Sequence, residues 1–230
     1  MNYQHGLARI FKTIGLALTL GVAMSACSEA SWKEEVLLHD GSKIIATRSQ
    51  TRGGGGEVGQ SPIKEHSVTF TVPGTTQPIT WKDEFSEDVR HSNFDLLALH
   101  ILDGRAYIVT TAYGSSSYKK WGSPNPPYIL FKYDGKTWPR IALSDFPTEF
   151  IKLNIVINSS AHEKKLIEET QRIGFVSFAT VNDLNSSLTQ EEYKSIVRMP
   201  LAIWKPRPTN MGPKAPTASD LRTDTSSQSK

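Results

Sequence analysis

The most regular alternation in the chain lies at 67–72, where Val68, Phe70 and Val72 interleave with Ser67, Thr69 and Thr71. A period of two with one apolar side predicts a strand in a sheet with one buried face. Pro73-Gly74 ends it, and 78–81 reads as the return strand. Three further pairs of apolar runs flank an Asp-Gly dipeptide: 34–39 and 43–48 around Asp40-Gly41, 94–102 and 105–112 around Asp103-Gly104, 127–133 and 136–143 around Asp134-Gly135. Asp-Gly between β-prone runs favours a type I′ turn, whose two central residues both need positive φ. These turns are unevenly spaced, which argues against a propeller or solenoid of fixed period and predicts a meander. Pro139 cannot donate to a ladder, so its run belongs at a sheet edge or a bulge.

Beyond 153–157, which reads as a buried strand, the period changes. Ser160 with Glu163 forms a capping box, and Leu166, Ile167, Thr170 and Ile173 share a helical face before Gly174, predicting a helix over about 161–173. A strand is expected at 175–181, then a short helix over about 189–197 opened by a second capping box, Thr189 with Glu192. The expected fold is therefore mainly β: an antiparallel meander or sandwich with one clear helix and one short one. It occupies 31–204 as a single β-rich domain, long enough to bury a core without covalent staples.

Two stretches fall outside this pattern. Residues 49–62 hold five glycines and little that is apolar, and no Lys-Ser/Thr or helix follows, so a flexible hairpin tip fits better than a phosphate loop. From 205 to 230 there are four prolines and mostly small polar residues, a composition that cannot offset its ordering entropy and predicts a disordered tail.

The start of the chain carries Arg9 and Lys12, a short apolar run at 14–23, and small residues before Cys27, the only cysteine. This is the layout of a secretory signal peptide over 1–26, too short in its apolar part to span a bilayer as a stable helix. Met24-Ser25-Ala26-Cys27 resembles a lipobox, with Met in the place of the usual Leu. The resemblance implies cleavage before Cys27 and its lipidation, with 27–30 as the link to the domain. Two or more acyl chains, palmitate-like in length, hold a protein stably on a membrane. Ser28, rather than Asp, after the cysteine implies the outer membrane, facing the periplasm, in a Gram-negative cell envelope.

Without residues 1–26 the chain has 24 Lys+Arg against 23 Asp+Glu, so no basic excess points to nucleic acid. If Cys27 carries lipid, no thiol remains for disulfides or chemistry. His39, His66, His91, His100 and His162 form no metal-ligand spacing, so neither metal nor cofactor is expected. His91, Asp95 and His100 are near in sequence, but a regular strand would put Asp95 and His100 on opposite faces. Gly114-Ser115-Ser116-Ser117-Tyr118 lacks the second glycine of a nucleophile elbow. Adjacent acids at Glu34-Glu35, Glu168-Glu169 and Glu191-Glu192 read as solvated faces. No catalytic residue is assigned, and an enzyme is not favoured.

The loop 113–128 is unusual in composition, with Tyr113, Tyr118, Lys119, Lys120, Trp121 and Tyr128 among three prolines. Rigid aromatics held by prolines suit a recognition surface, which makes these six the candidate binding loop. In the alternative, Trp121 and Tyr128 fold back as a lid on the core. The blocks 32–49 (WKEEVLLHDGSKIIATRS), 53–74 (GGGGEVGQSPIKEHSVTFTVPG) and 119–138 (KKWGSPNPPYILFKYDGKTW) resemble uncharacterised proteobacterial lipoproteins over most of 31–157. The resemblance implies an envelope lipoprotein and transfers no site residues. Three functions are then in play. The first is a lipid-anchored, non-enzymatic protein that binds an envelope or protein partner, and the second a periplasmic immunity or inhibitor lipoprotein against a toxin. The third is a hydrolase built from His91, Asp95 or His100 with Ser115, Ser116 or Ser117.

Overall fold

Alternating apolar positions become two antiparallel sheets that bury their facing sides. The computed structural model describes residues 29–53, 62–157, 174–202 and 206. The expected leader, Cys27, the glycine run at 54–61, the helix at 161–173 and nearly all of the tail lie outside the described residues. The chain is mainly β. β1 (Glu29–Leu37), β2 (Lys43–Arg52), β3 (Ile63–Thr71) and β4 (Pro78–Asp83) pair in sequence as a meander. β5 (Phe94–Leu102), β6 (Arg105–Ala112), β7 (Tyr128–Lys132) and β8 (Arg140–Ile141) form the second sheet in the same manner. A two-residue strand, β9 (Phe175–Val176), adds in parallel to β1.

The three Asp-Gly turns are all present, but the dipeptide closes them in two different ways. Only at Asp103-Gly104 do both residues take positive φ, 50° and 70°, as the type I′ turn requires. At the other two the glycine alone is left-handed and the aspartate acts through its side chain. Asp40 Oδ1 accepts from the Ser42 N–H, and Asp134 Oδ1 accepts from the N–H groups of Lys136 and Thr137. The run expected at 136–143 shrinks to the two residues of β8 after Pro139, at the sheet edge.

The main core lies between the sheets. Val36, Ala46, Val68, Phe70 and Trp81 from the first meet Phe94, Leu99, Ile108, Ile129 and Phe131 from the second. The second sheet is buried on its other face too, where Leu97, Tyr107 and Leu130 meet Phe146, Phe150, Ile157, Leu188 and Tyr193. A bulge makes this double burial possible in β5. The register breaks between Leu96 and Ala98, so Phe94 and Leu96 face the first sheet before it, and Leu99 and Ile101 after it.

The C-terminal part departs from expectation in three places. Residues 154–157 are buried as expected but make no strand. The strand expected at 175–181 stops at Val176 and becomes a helix, α2 (Phe178–Ser186). Ser177 caps it, accepting from the Thr180 N–H, and Val181 and Leu184 pack on Trp32 and Val156. This tertiary contact overrides the β propensity of the residues after Val176. The helix expected at 189–197 is a single 3-10 turn, Glu191–Tyr193. A further helix, α1 (Gly114–Lys120), stands where a loop was expected.

Candidate functional site

The loop of aromatics closes one end of the sandwich. Tyr113 is buried, its N–H bonded to the Asn93 carbonyl. That carbonyl also accepts from the buried Ser117 hydroxyl, and Asn93 Oδ1 accepts from Trp121 Nε1 at 3.3 Å. The Trp121 ring lies 4.7 Å from Phe94 and is covered by the Arg140 guanidinium at 5.9 Å. Tyr128 is buried and donates towards the carbonyls of Ser195 (3.0 Å) and Glu192 (3.2 Å), and burial holds its hydroxyl pKa well above the ordinary phenol range. Tyr118 is half-buried, its hydroxyl on the Pro124 carbonyl, with its pKa raised by the same cause. Of the six residues only Lys119 and Lys120 are exposed, and Lys120 reaches Asp88 at 3.0 Å. The groove beside this loop, about 420 Å³, is bordered by Asn125 and Arg140. Both are engaged, Asn125 by Leu201 and Arg140 by the Trp121 carbonyl.

His91 and His100 do not share a set of neighbours. The bulge in β5 puts Asp95 and His100 on the same side of the sheet, contrary to the regular-strand expectation. Yet His91 and His100 serve different neighbours. His91 Nδ1 donates to the Ser92 carbonyl and its ring abuts Tyr113 at 4.8 Å. His100 stacks on Phe150 at 4.4 Å, with its Nε2 on the Lys152 carbonyl. Burial lowers the His100 pKa to about 4, against the opposing effect of the Lys152 carbonyl, with a smaller lowering from His39. Ser115 is half-buried, Ser116 is exposed and Ser117 is committed to Asn93.

Two buried polar groups escaped sequence reading. Glu34, expected on a solvated face, is fully buried. Its carboxylate accepts from Trp32 Nε1 (2.9 Å), from Arg48 Nη1 (3.4 Å) and from the Val156 N–H. Arg48 also donates to the Val156 carbonyl, and burial lowers its pKa against the pull of Glu34. Glu192 is likewise buried, whereas Glu35 is half-exposed and accepts from the Phe178 N–H at the start of α2. That bond, with Lys43, lowers the Glu35 pKa. In the second group, His66 Nε2 bridges Asp83 (3.2 Å) and the Phe94 carbonyl (2.9 Å), while Asp83 also accepts from the Phe94 N–H and from Asn93. The signal was strand parity: His66 shares its side of β3 with Val68 and Phe70, and Arg48 its side of β2 with Ala46. Every atom named here is bonded to main chain or to another side chain, an arrangement that holds elements together.

What remains open is a cleft of about 720 Å³ where the turns after β3, β5 and β7 converge. Val72, Ile79 and Tyr133 give it apolar walls, and Arg105 stands at its side. Asp134 also lines it, but its carboxylate is taken up by its own turn, whose backbone N–H groups hold its pKa below the usual range. Among the described residues no cluster of three or more His, Cys, Asp or Glu could hold a metal ion, and no helix is long and apolar enough to cross a membrane. No family model, curated protein or solved structure matches the chain.

Proposed function

We propose that the protein is a lipid-anchored, non-enzymatic component of the bacterial envelope, held through Cys27, that binds a partner with the end of the sandwich farthest from the anchor. The observation carrying this reading is that β1 begins at Glu29, two residues after Cys27. Two residues reach at most ~7 Å, so a lipid on Cys27 leaves no linker between membrane and fold. The β1 start lies at the same end as Asp83, Asn93 and α1, because β1 to β4 alternate in direction and Ser92 bonds to Ile63. The convergent turns and their cleft are at the other end, one strand away. Nine residues of β1 span ~30 Å. The resemblance to envelope lipoproteins points the same way, and the commitment of His66, His91, His100 and Ser117 to internal hydrogen bonds weighs against the hydrolase.

The test is metabolic labelling with palmitate and membrane fractionation of the full chain and of Cys27→Ser. The full chain is expected to take up label and sediment with membranes, and the variant to do neither. Label on the variant, or an unlabelled full chain, overturns the anchor.

A further inference from the structure

We propose that the 720 Å³ cleft is the partner site and that it takes an acidic peptide segment, one apolar side chain seated on Val72, Ile79 and Tyr133 and a neighbouring carboxylate on Arg105. The assignment deepens the binding reading above and rests on it for the direction the cleft faces.

Charge selects the ligand. Two cations line the cleft, Arg105 and Lys132. Lys132 has its ammonium 5.5 Å over the Tyr107 ring, a contact on the opposite face of the second sheet. The Arg105 side chain is exposed and, among the described residues, has no ion pair, hydrogen bond or ring contact. Its guanidinium offers five donors in a fork that matches a carboxylate. The one carboxylate in the lining, Asp134, accepts three hydrogen bonds inside its turn and makes no ion pair with Arg105. The cleft thus presents one uncommitted cation beside an apolar wall. In the groove near Tyr128, by contrast, Arg140 is already covered by Trp121.

Size and position select a peptide over a lipid. The volume is within the ~300–1,000 Å³ of ordinary ligand sites. It opens one strand length, ~30 Å, from the anchored end, so what reaches it comes from solution and not from the bilayer to which Cys27 would be fixed.

The test is fluorescence anisotropy of the full chain with labelled Asp-Leu-Asp-Leu-Asp, alongside Lys-Leu-Lys-Leu-Lys and Asp-Gly-Asp-Gly-Asp. The first peptide is expected to bind at least tenfold more tightly than either control. Arg105→Gln should weaken it at least tenfold, while Arg90→Gln, which removes an exposed charge at the other end of the sandwich, should leave it unchanged. Equal losses in the two variants would mean bulk charge attraction and overturn the site, as would indifference to Arg105→Gln. Displacement of the peptide by laurate at lower concentration than by unlabelled peptide would make it a lipid site and overturn the assignment. Palmitate labelling at Cys27 is scored separately, so loss of the anchor with Arg105-dependent binding intact condemns only the anchor.

Discussion

The sandwich has two flanks, and they are closed in opposite ways. On the β1 and β5 flank, residues 154–157 run between the sheets and send Ile155, Val156 and Ile157 into three different cores. No strand pairs with them. Asn154 bonds both the N–H and the carbonyl of Leu99 and the carbonyl of Leu37, Glu34 and Arg48 take Val156, and Asn185 takes Ile155 and Ile157. On the β4 and β8 flank an indole bridges the gap, Trp138 Nε1 donating to the Thr80 carbonyl at 2.8 Å in an exposed position, next to the open cleft. Buried side chains therefore supply rigidity on one flank, and their absence leaves room for a ligand on the other.

The comparison breaks first at Glu34. Glu34→Ala strands the Arg48 charge and the Val156 N–H in the interior, a loss of about 3–5 kcal/mol, which a thermal melt followed by circular dichroism should read as a fall of roughly 10 °C or more. Glu34→Leu with Arg48→Met, which removes both charges, should recover most of it. If the single variant melts within a degree or two of the parent, the polar seal is not what holds this flank.

A smaller effect on the same flank depends on pH. The folded His100 pKa of about 4 lies below the ~6.5 of an unfolded histidine, so between these values the unfolded chain binds the extra proton. The stability that neutral His100 contributes is complete above pH ~6.5 and is lost as pH falls towards 4, by about 2–3 kcal/mol over that window. Urea midpoints measured across it should decline less steeply in His100→Gln than in the parent. The smallest effect belongs to the open flank: Trp138→Phe gives up one exposed hydrogen bond, about 0.5–1 kcal/mol, and should lower the melting temperature by no more than roughly 4 °C. A larger drop there would make the two flanks equivalent.

The open flank was the more legible of the two. Asp-Gly and Pro-Gly punctuation places β1 to β7 from local sequence, and the bounds of β5 and β6 match their apolar runs. Local sequence could not show that Glu34 would find Arg48 and Val156, because those partners are 14 and 122 residues away. It could have warned of them, since Glu34 lies in step with Trp32 and Val36 on the buried side of β1. The bulge at Leu97 was invisible for a related reason: in a strand buried on both faces the apolar pattern has no period to break. The loop 113–128 carried a real compositional signal, but Tyr113 is buried, and Trp121 and Tyr128 use their hydrogen-bonding ends on the fold itself. The cleft has no local signature because it forms where three turns meet, one at Pro73-Gly74 and two at the Asp-Gly dipeptides 103–104 and 134–135, each of which marks only a chain reversal in the sequence.

The seal made by residues 154–157 also fixes an order of events. Its bonds to Glu34, Arg48 and Leu37 close loops of 122, 108 and 117 residues, and Phe178 reaches Glu35 across 143. A chain emerging from its N-terminus can form the four-stranded meander early, and with it the Glu34–Arg48 pair, but the bonds of that pair to Val156 wait until residues 154–157 arrive. Contacts of such long sequence separation are slow to form. That delay leaves the first sheet unsealed until nearly all of the domain is available.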